Sequence, residues 1–141
     1  MIKVTCALIV NEDKILVTQR GPESSHPFLW EFPGGKIKPG ETPETCIQRE
    51  IAEELDVEIE IITGLLPVQY DYGNKLIELI PFLCTIKSGR LKFKVHVGYE
   101  WKEWDKLDRT EFSEADRILI TQAQNIQLLK EYFGEQVDNA G

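Results

Sequence analysis

The sequence has few of the residues that build disulfide frameworks or histidine-rich metal sites. Its 141 residues include three cysteines and two histidines. Cys6, Cys46 and Cys84 are odd in number, widely spaced and set in apolar surroundings, which is typical of core residues in a reducing compartment. We therefore expect a cytoplasmic protein without disulfides or a zinc site. Neither His26 nor His96 has a setting that indicates catalysis, and we expect both to be structural or surface residues.

Long apolar runs and an excess of positive charge are also missing. We expect no membrane span and no targeting leader, because no apolar stretch is long enough and no basic segment precedes one. The formal net charge of −8 argues against binding to DNA or RNA polymers, whose affinity comes from cationic contacts to phosphates. It does not exclude a small phosphorylated substrate, because a divalent metal ion can bridge acidic side chains and a phosphate.

The order of apolar and polar residues predicts a single α/β domain over residues 1–141. Strand-like segments precede and follow one helical segment, and an amphipathic helix over 121–133 closes the chain. This order favours a mixed β-sheet between helices. Pro81 interrupts the apolar strand predicted over 76–87, which suggests a bulge or an edge position there. The segment 134–141 is expected to fray.

The segment over residues 34–57 contains the strongest local signals. Thr42 is a good N-cap, and Pro43 follows it at the first helical position, where its missing N–H costs nothing. The pattern predicts a helix that runs from there to about Leu55. A glycine turn and a short loop lead into this helix.

The predicted helix places carboxylates beside an apolar stripe. A rotation of roughly 100° per residue puts three acids within one arc and the apolar residues on the adjoining arc. The two sets are Glu50, Glu53 and Glu54, and Ile47, Ile51, Ala52 and Leu55. A solvated acidic face is the simpler interpretation of such a cluster. However, these acids lie next to the stripe rather than opposite it, and converging carboxylates are the ligands that Mg²⁺ or Mn²⁺ requires.

This segment resembles the Nudix box of the Nudix hydrolases. The residues that match at the family's spacing are Gly35, Glu41, Arg49-Glu50-Ile51, Glu53-Glu54 and Val57. Asp56 departs from the pattern, because the family usually has a glycine there, at a helix end where a left-handed conformation is common. Aspartate tolerates that conformation better than most residues, so we still expect the helix to end at this position.

Further residues resemble the MutT branch of that family. They are Arg20, the runs 31–36 and 40–44, Glu100-Trp101, Phe112 and Ala115-Asp116. The resemblance implies an α/β/α sandwich and a Mg²⁺-dependent (or Mn²⁺-dependent) enzyme. That enzyme would hydrolyse a nucleoside triphosphate, such as oxidised dGTP or CTP, to a nucleoside monophosphate and pyrophosphate. Its partner would be this small nucleotide, not a nucleic acid polymer or a membrane, and the protein would be a monomer or a homodimer.

The resemblance also implies a role for each matching residue. The metal ligands would be the Gly35 carbonyl, Glu50, Glu53, Glu54 and Glu100. Glu50 would also be the general base on the attacking water, and Arg49 would orient the box carboxylates, especially Glu41. The substrate site would comprise Arg20 at the phosphates, Asp116 at the base edge, and Phe32, Gly34 and Lys36.

Two of these residues have simpler interpretations. Glu100 could be a surface acid between Tyr99 and Trp101, and Asp116 could be a surface residue of a helical turn. An ionised Asp116 would accept a hydrogen bond from the amine of cytosine or adenine, whereas burial that keeps it protonated would also suit oxidised purines. Two other functions stay open, namely hydrolysis of another nucleoside diphosphate derivative and nucleotide sensing without cleavage.

Overall fold

A computed structural model describes residues 1–140, with side chains described through residue 135. The strands are β1 (Ile2–Asn11), β2 (Lys14–Gln19), β3 (Trp30–Glu31), β4 (Gly34–Lys36), β5 (Val57–Gly64), β6 (Val68–Asp71), β7 (Leu76–Gly89) and β8 (Gly98–Glu103). The helices are α1 (Pro43–Leu55), α2 (Glu114–Thr121) and α3 (Ala123–Ala140), and a short 3-10 helix covers Arg109–Glu111. None of the helices within these residues is long and apolar enough to cross a membrane.

The strands form one mixed sheet around the parallel pair of β1 and β7. Ile2 lies opposite Ile77 at one end of this pair, and Ile9 lies opposite Cys84 at the other. The sheet continues through β2 and β3 on one side and through β5 on the other. Antiparallel pairing adds β4 to β1, β6 to β7 and β8 to β2. The predicted mixed sheet is therefore confirmed.

Both faces of the sheet are apolar and covered by helices. On one face, Ala7, Ile9 and Leu16 of the strands pack with the buried side chains of α1. On the other face, Leu8, Val17 and their neighbours pack with α2 and α3. Alternate residues of a strand point to opposite faces, so one strand supplies both cores. The result is the α/β/α sandwich that the resemblance implied.

Pro81 lies in the central strand β7 and not at an edge of the sheet. Its carbonyl accepts a hydrogen bond from the Leu65 N–H at 3.0 Å, so its nitrogen points to the same side. On that side, β6 pairs with β7 as far as Leu79, and β5 takes over at Phe82. The missing N–H therefore falls in the gap between two partner strands, where no ladder hydrogen bond is lost.

The closing helix differs in extent from the prediction. It begins at Ala123, because α2 occupies the chain through Thr121, and its backbone is helical through Ala140. The segment expected to fray is thus helical as far as it is described, and residue 141 lies outside the described residues. Leu129 and Phe133 of this helix are buried in the core.

Candidate active site

Helix α1 begins where the sequence predicts. The Thr42 side chain accepts a hydrogen bond from the Thr45 N–H, and the Thr45 hydroxyl accepts one from the Thr42 N–H, both at 3.1 Å. Pro43 is the first helical residue. This reciprocal pair satisfies two N–H groups that no helical carbonyl can reach. The start of α1 at Pro43 is thereby fixed.

Helix α1 ends at Asp56, which adopts the left-handed conformation expected of the missing glycine (φ 61°, ψ 32°). The N–H groups of Lys92 and Lys94 donate to the carbonyls of Leu55 and Glu54 at 2.9 and 3.1 Å. Both ammonium groups lie within 3.9 Å of the Asp56 carboxylate. The loop before β8 thus supplies cations that the last turn of α1 lacks, and it is held beside Glu54.

The buried stripe of α1 is narrower than predicted. Ile47, Ile51 and Leu55 are fully buried, but Ala52 is exposed. The stripe follows every fourth residue, and Ala52 lies one step further round toward solvent. The carboxylates beside the stripe differ in exposure, because the Glu50 side chain is 15% exposed and that of Glu53 is 55% exposed.

Arg49 binds three of the box carboxylates. Its Nε and Nη2 donate to the two oxygens of Glu41 at 2.6 and 2.9 Å. Its Nη1 donates to Glu50 at 2.9 Å and to Glu53 at 3.1 Å. The hydrogen bonds from the guanidinium lower the pKa of Glu41 to about 2. We call these four residues the Arg49 group.

The two glycines of β4 allow the chain to approach these acids closely. A Cβ on Gly35 would overlap the Glu50 carboxylate, and a Cβ on Gly34 would overlap the Thr5 carbonyl. The Gly35 carbonyl accepts a hydrogen bond from the buried Thr5 hydroxyl at 3.2 Å. The turn therefore requires glycine because of contact with Glu50 and Thr5, not because of its backbone angles.

Glu54 is the carboxylate that most needs a cation. Burial, and then the charges of Glu50 and Glu31, raise its pKa to about 8, while a hydrogen bond from the Gly34 N–H opposes the shift. Its Oε2 atom is buried without a hydrogen-bond partner. The missing hydrogen-bond partner and the repulsion from neighbouring carboxylates both cost free energy, and a hard divalent cation would relieve both costs.

The donor set therefore fits Mg²⁺ or Mn²⁺, although the acids are not yet gathered around one ion position. Among the described residues, no three His, Cys, Asp or Glu side chains converge on a common point. In this arrangement Nη1 of Arg49, rather than an ion, bridges Glu50 and Glu53.

A cavity of about 400 Å³ opens beside β4 and Glu54. All five predicted substrate residues line it, together with two of the predicted metal ligands. They are Arg20, Phe32, Gly34, Lys36 and Asp116, and Gly35 and Glu54. The structure thus brings together residues that lie up to 96 positions apart in the chain.

Asp116 is buried in this cavity wall and is not a surface residue. It is 7% exposed and accepts a hydrogen bond from the Ser113 hydroxyl. Burial, and to a smaller extent the charge of Glu31, raise its pKa to about 7, while the hydrogen bond from Ser113 opposes this shift. Both protonation states of Asp116 are therefore populated near neutral pH.

Glu100 is not brought to the carboxylates of α1. It lies opposite Val17 in the pairing of β8 with β2, and directly opposed side chains point to the same face. Val17 packs on the face that α2 and α3 cover, so Glu100 points away from α1. Its half-exposed carboxylate lies 3.2 Å from the Lys102 ammonium. This geometry does not support a metal-binding role and agrees with the surface interpretation.

Two residues of the cavity wall were missed as site residues. His96 is not on the surface, because its side chain is 5% exposed and its Nε2 lies 3.3 Å from Glu31 Oε2. Glu31 Oε1 binds Arg20 Nη1 at 2.9 Å. Glu31 stands next to predicted site residues in the run 31–36, which was a usable signal. His96 had no local signal, because only the folded loop before β8 places it there.

Residues 1–126 match the family model of the NUDIX domain. A CTP pyrophosphohydrolase of Escherichia coli (strain K12) is 33% identical over 72% of this chain and 75% of that protein. An 8-oxo-dGTP diphosphatase of Buchnera aphidicola subsp. Schizaphis graminum is 30% identical over 90% of this chain and 96% of that protein.

A solved structure agrees with these relatives. The MutT NUDIX hydrolase from Burkholderia pseudomallei superposes with a TM-score of 0.73 at 29% identity, covering 86% of this chain and 97% of that one. This chain therefore belongs to the Nudix family and is a MutT-like hydrolase.

Proposed function

We propose that this protein is a Mg²⁺-dependent nucleoside triphosphate pyrophosphohydrolase of the nucleotide pool. It would convert a triphosphate and water into a nucleoside monophosphate and pyrophosphate. One observation carries the proposal: a single cavity joins the buried Asp116 to Glu54 and the glycine turn that contacts Glu50. The relatives named as a CTP pyrophosphohydrolase and as 8-oxo-dGTP diphosphatases support the same class of substrate.

The carboxylates of α1 suit the demands of phosphoryl substitution. A divalent ion supplies charge neutralisation at the phosphate oxygens and lowers the pKa of water. Glu50, Glu53, Glu54 and the Gly35 carbonyl would hold that ion. Glu50 would also accept the proton of the attacking water, because its carboxylate lies against the turn that lines the cavity.

The cations of the site would bind the phosphate chain. Arg20 and Lys36 line the cavity and would contact phosphate oxygens. The charged partners of Arg49 are the carboxylates of Glu41, Glu50 and Glu53, and its role would be to reduce their mutual repulsion until an ion is bound. Contacts of the phosphates with Arg20 and Lys36, and with an ion held by the carboxylates, would fix the phosphates relative to the attacking water.

Asp116 would read the edge of the base. Its ionised form accepts a hydrogen bond, as the amine of cytosine requires, and its neutral form can donate one to an oxidised purine. A pKa of about 7 makes both forms accessible. The choice between cytidine and oxidised guanine nucleotides would then depend on the protonation state of Asp116.

An active enzyme is favoured over a nucleotide sensor that does not cleave. A sensor has no need for catalytic carboxylates, yet Glu41, Glu50, Glu53 and Glu54 are all present, and three of them are held by Arg49. We also propose a cytoplasmic location, since Cys6, Cys46 and Cys84 are free and buried.

A turnover panel tests this function. The purified protein is incubated with Mg²⁺ and CTP, dCTP, dGTP or 8-oxo-dGTP, and pyrophosphate and orthophosphate are measured separately. We expect equal amounts of pyrophosphate and nucleoside monophosphate, and no turnover with excess chelator. Orthophosphate with a nucleoside diphosphate would refute the cleavage site, and no turnover of any triphosphate would refute the function.

A further inference from the structure

The cavity wall contains a charged cluster that the proposed chemistry leaves unexplained. Glu31 binds Arg20 Nη1 through one carboxylate oxygen at 2.9 Å, and its other oxygen lies 3.3 Å from His96 Nε2. All three side chains line the cavity. We call Arg20, Glu31 and His96 the Glu31 cluster. Its members come from β3, from the loop after β2 and from the loop before β8.

The hydrogen bonds of Arg20 leave one edge of its guanidinium for a ligand. Nη1 is taken by Glu31, and Nη2 lies 3.4 Å from the Ser25 hydroxyl. Nε is buried and has no partner. The Nε–Nη2 edge is the one that binds a phosphate with two parallel hydrogen bonds. A buried Nε–H without a partner at the wall of a cavity points to an acceptor that enters the cavity.

His96 supports Glu31 from the other side. A carboxylate only accepts hydrogen bonds, so His96 must present its Nε2–H to Glu31. The backbone of Lys94, two residues earlier, is tied to the end of α1 through the Glu54 carbonyl. The N–H of Val97, the next residue, donates to the Gln19 carbonyl at 3.1 Å, so the backbone is tied on both sides of His96.

The cluster lies between the two functional parts of the cavity. Trp30, the residue before Glu31, accepts a hydrogen bond from the Ser113 N–H at 3.2 Å, and the Ser113 hydroxyl donates to Asp116. Three residues after Glu31, Gly34 begins the glycine turn that lines the cavity together with Glu54. In a bound nucleotide, the group between the base and the reacting phosphate is the sugar with its attached phosphate.

We propose that Glu31 and His96 are positioning residues that hold Arg20 for the phosphate attached to the sugar. Glu31 fixes Nη1 so that the Nε–Nη2 edge faces this phosphate, and His96 fixes Glu31. The inference rests on the proposed function and specifies how its substrate is held. It predicts that the cluster acts on phosphate binding and not on binding of the base.

The test compares His96→Gln with His96→Leu. The glutamine amide can donate to Glu31 as Nε2 does, whereas leucine cannot. Dissociation constants are measured by calorimetry without divalent metal, so that the result does not depend on turnover. Two pairs of probes are tested on the wild type, namely CMP with cytidine and 8-oxo-dGMP with 8-oxo-deoxyguanosine. The pair whose monophosphate binds more tightly is used for the variants. Lys87→Ala, in an exposed ion pair with Glu58, is the control.

We expect His96→Leu to weaken monophosphate binding about tenfold, as the loss of one well-placed contact does. Nucleoside binding should stay within about twofold, and His96→Gln should stay near the wild type. Glu31→Leu should show the same pattern as His96→Leu. Glu31→Gln keeps an acceptor for Arg20 and should show a smaller loss of monophosphate binding. With Mg²⁺ and substrate, the leucine variants should raise KM with kcat little changed.

Three results would overturn the proposal. The first is a wild type that binds the monophosphate no more tightly than the nucleoside. The second is an equal loss of affinity for the monophosphate and the nucleoside in His96→Leu. The third is an equal loss of monophosphate affinity in His96→Gln and His96→Leu. Thermal melting of each variant shows whether it is folded, and the glutamine variants keep the test decisive if a leucine variant is not. A wild type that binds the monophosphate but cleaves no triphosphate would refute the proposed function, while this comparison still decides the role of the cluster.

Discussion

The cavity region contains two arginine–carboxylate clusters that are built in different ways. The Arg49 group comes from positions 41–53: Arg49, Glu50 and Glu53 lie within one helix, and Glu41 lies in the short loop that leads into it. The Glu31 cluster joins positions 20, 31 and 96, which only the pairing of strands brings together. The first cluster is visible in the sequence and the second is not. We therefore expect their variants to behave differently.

The largest effect should come from the Arg49 group. Glu53→Gln should lower kcat by about 10²–10³-fold, which is typical for loss of one charged group in a phosphoryl-transfer site. Its side chain is 55% exposed, so the fold should survive, as circular dichroism would show. Glu44→Gln, on the exposed first turn of the same helix, is the matched control. Activity of Glu53→Gln within a few fold of wild type would show that Glu53 holds no ion.

Asp116 tests a residue that the fold, not local spacing, places in the cavity. Its pKa is about 7 in the folded protein and 3.8 for an unperturbed aspartate. Because the folded pKa is the higher one, the wild type loses stability as the pH rises from about 4 to about 7. Asp116→Asn removes this loss and keeps an acceptor for the Ser113 hydroxyl.

The variant should therefore gain stability relative to wild type between pH 5 and pH 8. The gain should be at most about 4 kcal/mol, or several degrees in Tm. Thermal melts of both proteins at pH 5, 6, 7 and 8 measure it. Other shifted groups, including Glu54, are the same in both proteins and cancel in the difference. A difference in Tm that is constant across this range would show that Asp116 is ionised throughout.

The glycine turn connects the Arg49 group to the cavity, and Gly35→Ala should disturb it. The added Cβ would overlap the Glu50 carboxylate, so we expect a loss of about 1–3 kcal/mol in the free energy of unfolding. Activity should fall as well, because Glu50 must move. Gly134→Ala is the control, since a Cβ there meets nothing and should leave stability equal or slightly higher. Equal effects of the two substitutions on denaturant unfolding would contradict the close contact.

The smallest effect concerns the base. Asp116→Asn should change the ranking of CTP, dCTP and 8-oxo-dGTP by several fold in kcat/KM, with less change in the rate on the best substrate. The reason is that an amide both donates and accepts hydrogen bonds at every pH, whereas a carboxyl group only accepts when ionised and can donate when protonated. The same turnover panel measures this ranking. An unchanged order of substrates would remove Asp116 from the base pocket.

How far the site could be predicted depends on how each residue is placed. Thr42, Pro43 and Asp56 act within α1, so both ends of that helix were predictable from capping chemistry. Asp116 and Arg20 were predicted only through the family resemblance, and the cavity brings them together. Glu100 was chosen on the same basis but points away, because the register of β8 with β2 decides its face.

The central strand shows the same limit. Pro81 suggested an edge or a bulge, since proline cannot donate to a ladder. The sequence could not show that β6 and β5 share one side of β7 and leave a gap opposite this residue. A rule about one residue was correct, and the position of that residue in the sheet depended on two other segments.

The sequence by itself determined helix α1, its bounds and the set of carboxylates it carries, because capping and helical spacing act over a few residues. Only the tertiary structure decided that His96 and Arg20 meet at Glu31, that Asp116 is buried, and that Glu100 faces away from α1. The physical reason is that strand pairing and register join distant segments, and a shift of one residue in register reverses the face of every side chain.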